Sequence, residues 1–261
     1  MVDRDALIDA VVRDASRAIL VSDFDGVLSP IVEDPETSRM LDGVARILER
    51  IARRLRLVAV ISGRPLAFLI ERVSIPGVRL IGSYGVEEFA DGQRRVHPDV
   101  GGWTDRVESA TTFLRARFAD HPGILVEDKA VSVAVHWRRS PDRAAAQRAV
   151  QEVVSELAAS TGLRRESGKL VEELRPPLDI DKGTAIADLV DGLRPAVVAY
   201  AGDDVGDLPA FRVVLDSGGF ALLVDHGEET DPRLRAVATV SFDGAEGFAE
   251  WLHELAARLE W

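Results

Sequence analysis

The stretch AILVSDFDGVLSP, residues 18–30, runs an apolar segment into a serine and then sets Asp23 and Asp25 one residue apart, just before a glycine. A continuous apolar run of this length marks a strand buried on both faces, as in a parallel sheet covered by helices. Its carboxylates then fall at the carboxyl end of the strand, the edge where open parallel sheets bind ligands. Short apolar runs and longer helical patterns alternate after it. Helical spacing over 40–55 and 65–73 separates LRLVAVISG (55–63) and VRLIGS (78–83), and the rhythm returns beyond RPP at 175–177. There a helix over 181–192, the strand AVVAYAG, a helix near 205–214, the strands FALLV and ATVSF and a final amphipathic helix over 243–260 are expected. The pattern predicts an α/β fold with a Rossmann-like parallel-sheet core.

The middle of the chain follows a different rule. Residues 103–120 and 141–160 have helical spacing, whereas ILVEDKAVSVAVHWR (124–138) alternates with period two and RRESGKLVEELRP (164–176) reads as a strand or hairpin. Val131, Val133 and Val135 share one face, so Ser132, Ala134, His136 and Arg138 share the other. Two helices with antiparallel strands make a small α+β unit inserted into the sheet. Residues 1–97 and 178–261 are therefore expected to form the core domain, and 98–177 a cap domain.

Composition narrows the chemistry. The 261 residues are 46% hydrophobic, enough for a buried core, and contain no cysteine, which excludes disulfides, thiolate metal sites and a cysteine nucleophile. A formal net charge of −12 disfavours nucleic acid as a partner. No apolar stretch approaches the roughly 20 residues of a membrane span, and the charged N-terminal segment lacks the pattern of a secretory signal. A cytoplasmic protein, monomer or weak dimer, is expected.

Four clusters follow or open elements at one edge of the sheet: DFDG with Asp23 and Asp25, ISGR with Ser62, Gly63 and Arg64, DKG with Lys182, and AGDDVGD with Asp203, Asp204 and Asp207. Carboxylates gathered on one edge repel one another unless a cation intervenes. Oxygen ligands without thiols suit a hard ion, and Mg²⁺ is the usual choice where waters and a phosphate complete the coordination.

In this order and type the four motifs resemble the haloacid dehalogenase superfamily of phosphatases. VEDKAVSVAVHWR, GKLVEELRPP, DKGTAI and GDDVGDLPAF narrow the resemblance to the trehalose-6-phosphate phosphatases. It implies Asp23 as the nucleophile that forms an aspartyl-phosphate and Asp25 as the acid and base. It implies Mg²⁺ held by Asp23, the Asp25 carbonyl, Asp203 and, through water, Asp204. Phosphate would be bound by Ser62, Gly63, Arg64 and Lys182, with Asp207 orienting Lys182. Sugar hydroxyls would be read by Glu87, Glu127, Lys129, His136, Arg138, Lys169 and Glu173. The implied partner is a small-molecule sugar phosphate, trehalose 6-phosphate above all.

Single motifs weigh little alone: SGR is a common turn, and the charged cap residues could equally form solvated cross-strand pairs. Four positions depart from the family pattern: Val27 and Gly206 where threonine is usual, Tyr84 where histidine is, and Leu208 where glutamate is. None removes a reacting group. Phosphatases for other glycosyl phosphates, a phosphomutase and a non-catalytic sugar-phosphate sensor are the alternatives.

Overall fold

The computed structural model describes residues 3–32, 35–168 and 170–260, and divides into two compact units, Met1–Arg95 with Ile180–Trp261, and Val96–Asp179. The chain opens with α1 (Arg4–Arg13), β1 (Ala18–Ser22), α2 (Val44–Ala52), β2 (Leu57–Ile61), α3 (Leu66–Arg72) and β3 (Val78–Gly82). A hairpin, β4 (Glu87–Ala90) and β5 (Gln93–Val96), follows. In the second unit come α4 (Thr104–Phe118), β6 (Leu125–Asp128), β7 (Val133–His136), α5 (Arg143–Thr161), β8 (Arg164–Gly168) and β9 (Val171–Arg175). The first unit resumes with α6 (Lys182–Leu193), β10 (Val197–Gly202), α7 (Leu208–Asp216), β11 (Phe220–Asp225), α8 (Pro232–Val237), β12 (Val240–Asp243) and α9 (Gly244–Arg258).

The first unit is an α/β sandwich on a sheet of order β12-β11-β10-β1-β2-β3-β4-β5. From β12 to β3 every pairing is parallel, and β4 joins antiparallel to β3. Alternation along β1 explains the burial of both faces. Leu20 enters a core with α1, α2 and α9, while Ile19 and Val21 enter a second core with α6 and α7. From β1 the chain crosses to β2 on one side, and its other neighbour is β10. The carboxyl end of β1 is therefore the point where strand order reverses, and a crevice opens at such points.

In the second unit an antiparallel sheet of order β6-β7-β9-β8 presents Val133, Val135 and Leu174 to α4 and α5. Among the described residues no helix is long and apolar enough to cross a membrane.

Candidate active site

Asp23 directly follows β1, and its amide extends the ladder to the Ala201 carbonyl at 2.8 Å. The carboxylate is buried. One oxygen accepts the Phe24 amide at 2.6 Å and the other accepts Lys182 Nζ at 2.6 Å. Lys182 stands in the first turn of α6, whose N-terminus is closed by a reciprocal pair: Asp181 accepts the Thr184 amide and the Thr184 hydroxyl accepts the Asp181 amide, both at 2.9 Å. The helix start is thereby fixed and the lysine reaches inward rather than to solvent. Its ammonium also donates to Asp207 at 2.6 Å.

Asp207 is fully buried, with both oxygens engaged. One accepts Lys182 and the Tyr200 hydroxyl (2.5 Å), the other the amides of Asp203 and Asp204 at 2.9 and 3.1 Å. Four hydrogen bonds fill a carboxylate's acceptor capacity. Tyr200 was invisible as a site residue in the sequence, where it reads as one more apolar position of AVVAYAG.

Asp25 lies two residues on, where Gly26 turns the chain at φ +73°. A side chain at Gly26 would overlap the Asp203 carboxylate, so only glycine lets the DFDG turn approach that group. The Asp25 carboxylate is gripped by Arg64, through Nε at 2.8 Å and an Nη at 3.1 Å, and accepts the Ser38 hydroxyl at 2.8 Å. Arg64 also lies over the Phe68 ring, 4.6 Å from its centroid. Sequence reasoning assigned Arg64 to phosphate; in the structure its guanidinium pairs with Asp25. Ser62 is buried at the end of β2, and its hydroxyl accepts the Arg64 amide at 3.2 Å, shaping the turn that presents Gly63.

Glu87, which the sequence resemblance made a sugar contact, is 2% exposed. It accepts the Leu66 amide (3.1 Å), the Ser83 hydroxyl (2.8 Å) and Arg94 (3.2 Å). It clamps the loop in which Ser83 and Tyr84 both hold positive φ, +51° and +61°, a costly pair for residues with side chains. The product of that clamp is Tyr84, which lies against the Ser62–Gly63 turn: a Cβ on Gly63 would fall 2.5 Å from its ring Cζ.

Asp203 follows β10 and faces Asp23. Carboxylate oxygens of Asp23, Asp203 and Asp207 lie within 4.8 Å of one another. Burial, opposed by Lys182 and aided by Asp207, pushes Asp23 up to about 7. Burial, then the charges of Asp23, Asp207 and Asp204, pushes Asp203 up to about 9, and burial and Asp207 raise Asp204. Burial alone would lower Lys182, but Asp207 and Asp23 outweigh it and keep it cationic. Among the described residues Asp203 accepts no hydrogen bond; the ring Nε2 of His226 lies 3.5 Å from one of its oxygens. A half-buried carboxylate short of donors, beside a buried one, fits a hard divalent cation. Asp207 contributes to that field, but with four donors already bound it is no ligand.

A pH dependence follows. Acids whose folded pKa is raised stabilise the fold fully below their unfolded values near 4, and that contribution fades as pH climbs through the folded ones. Metal-free protein should therefore melt at falling temperature as pH rises through about 7 and toward about 9. Adding Mg²⁺ should raise the melting temperature most at the alkaline end. Scanning calorimetry with and without chelator checks this; a metal-free melting temperature that rises over that range would refute it.

In the second unit, Glu127 and His136 meet at 2.7 Å, and Lys129 pairs with Glu173 at 2.8 Å. Ser132 donates to the same Glu173 at 2.5 Å. Register explains the grouping: Glu127 lies opposite Ala134, and Ala134 opposite Glu173, so all share the face turned away from α4 and α5. Arg138 is exposed beyond the end of β7. Lys169 lies outside the described residues.

The trehalose-phosphatase family matches this chain over residues 21–237. Trehalose-phosphate phosphatase of Mycobacterium marinum is 36% identical over 253 residues, covering 93% of this chain and 62% of that protein. The chain thus spans about 62% of the length of the curated relatives it matches. Among solved structures, a trehalose-6-phosphate phosphatase related protein superposes with a TM-score of 0.76 at 21% identity, over 92% of this chain and 97% of that one. Aspergillus fumigatus trehalose-6-phosphate phosphatase gives 0.65 at 26% identity, over 98% of each chain.

Proposed function

This chain belongs to the trehalose-phosphatase family, and from that membership we propose that it hydrolyses trehalose 6-phosphate to trehalose and phosphate, with Mg²⁺ as cofactor. The observation that carries the reading is the placing of Asp23: a buried carboxylate at the strand-order reversal, held by one amide and one ammonium and faced by Asp203.

A carboxylate needs no base to become a nucleophile. Asp23 attacks phosphorus as the bond from phosphorus to the sugar oxygen breaks, leaving an acyl phosphate on Asp23. Asp25 gives its proton to the departing oxygen and, now a carboxylate, takes one from water. That water attacks phosphorus, phosphate leaves, and the Asp23 carboxylate returns. Arg64 and Ser38 hold Asp25 in place for both transfers. Lys182, fixed by Asp207, and the Ser62–Gly63 turn supply donors to phosphate oxygens in a site shielded from water, where such bonds count most. Asp23, Asp203, the Asp25 carbonyl and, through water, Asp204 would hold the cation. When bound, Mg²⁺ supplies neutralisation of the phosphoryl charge.

The second unit acts as a cap that reads the sugar. Glu127, Lys129, His136 and Glu173, satisfied by one another in the structure, exchange those partners for sugar hydroxyls. A polar site of that kind rejects ligands lacking the matching hydroxyls, because its own groups would be left unpaired.

The test is phosphate release from trehalose 6-phosphate, sucrose 6-phosphate, glucose 6-phosphate and glycosyl phosphoglycerates, with and without Mg²⁺. Metal-dependent release from trehalose 6-phosphate, with kcat/KM at least about a hundredfold above glucose 6-phosphate, is expected. Preference for another glycosyl phosphate would overturn the substrate and keep the chemistry; silence from all of them would overturn both.

A further inference from the structure

His226 belongs to no motif of the sequence, and no step above uses it. It follows β11, 200 residues from Gly26 in the chain, yet its Nε2 lies 2.9 Å from the Gly26 carbonyl oxygen and 3.5 Å from Asp203 Oδ2. With the ring proton on Nε2, the imidazole donates to that carbonyl and leans its positive edge on the carboxylate. The same turn runs close to Asp203: a Cβ on Gly26 would overlap that carboxylate.

The histidine is itself held. Its amide donates to the Thr230 hydroxyl at 2.7 Å. The preceding Asp225 accepts two bonds from Arg235, both 2.6 Å, and the Gly227 amide at 2.9 Å. The side chain is 17% exposed, and it lines a cavity of about 170 Å³ shared with Asp203 and Asp204. A donor so anchored, bridging a main-chain turn to a half-buried carboxylate, fixes both.

Resting on the cation site of the proposed function, we infer that His226 is a positioning residue: it locks the Gly26 peptide and the Asp203 carboxylate in the arrangement that receives the divalent cation. Partners of metal-binding carboxylates act this way, and their loss weakens metal binding about 10- to 100-fold. The role is chemical rather than steric, so an amide that reproduces the donor should restore it. Glutamine is long enough to place an N–H near the Gly26 carbonyl; asparagine is too short.

The experiment is calorimetric titration of metal-stripped protein with Mg²⁺, beside thermal melts of each variant. His226→Ala should bind Mg²⁺ about 10- to 100-fold more weakly. His226→Gln should recover most of the affinity. If the alanine variant does not fold, His226→Asn against His226→Gln makes the same comparison. Unchanged Mg²⁺ affinity in the alanine or asparagine variant overturns the inference, as does a glutamine variant no better than either. An unaltered chain that takes up no Mg²⁺ sinks the cation site beneath it as well.

Discussion

Asp23→Asn is expected to lower phosphate release from every substrate by about four orders of magnitude or more, the scale for loss of the covalent nucleophile that Asp23 is proposed to be. An amide is nearly the shape of the carboxylate, so the loss is chemical: its oxygen carries no charge with which to attack phosphorus. One of the two contacts, with the Phe24 amide or with Lys182, is lost because an NH₂ replaces an acceptor. Against that loss, a buried negative charge disappears from beside Asp203 and Asp207; after burial, the Asp23 charge was the next cause holding the Asp203 pKa up. The two effects oppose each other, and the variant should melt within a few degrees of the unchanged protein. Phosphate release and thermal unfolding, run together, check both halves. Turnover in the asparagine variant within tenfold of the original would remove Asp23 from the chemistry. Binding retained with turnover lost is the signature of a nucleophile.

The alternation of buried strands and helices was legible because β1, β2, β10 and β11 are each short apolar runs with both faces covered. Strand-end clusters were legible for the same reason: a motif that follows a parallel strand is delivered to one edge. The β4–β5 hairpin was not read, although Asp91 and Gly92, both at positive φ, carry its turn signal. Its strands are thick with Glu, Gln and Arg, and β5 is exposed throughout, so no apolar alternation announced them. The helix expected near 205 begins at Leu208 because Asp204 first caps a tight turn over Val205–Asp207. Least legible were the partners that the fold alone brings together: Arg64 with Asp25, Glu87 with Leu66, Tyr200 with Asp207 and His226 with Gly26. Local periodicity says which face a residue occupies; it does not say which residue, dozens of positions away, waits there.

Asp207→Ala is expected to destabilise the protein by about 3–5 kcal/mol, the cost of removing one member of a buried ion pair and stranding the other. Four donors lose their acceptor together: Lys182, Tyr200 and the amides of Asp203 and Asp204. Lys182 retains Asp23, but its second bond is gone, and burial then works to discharge it. For a chain of this length the melting temperature should fall by roughly 10 °C. Asparagine offers little rescue. Whichever way its amide turns, an NH₂ meets either the two backbone amides or the lysine and tyrosine donors, so donors face donors. Activity should fall with stability, for a distinct reason: the two amides that Asp207 gathers belong to Asp203 and Asp204, so its loss frees the turn that carries both proposed cation ligands. Differential scanning calorimetry and Mg²⁺-dependent phosphate release separate the two effects, since excess Mg²⁺ should restore part of the activity and part of the melting temperature. A variant that melts within a degree of the unchanged protein would show that Lys182 and Tyr200 find other acceptors. Asp207 would then lose its place as the knot that ties β10, α6 and Asp23 together.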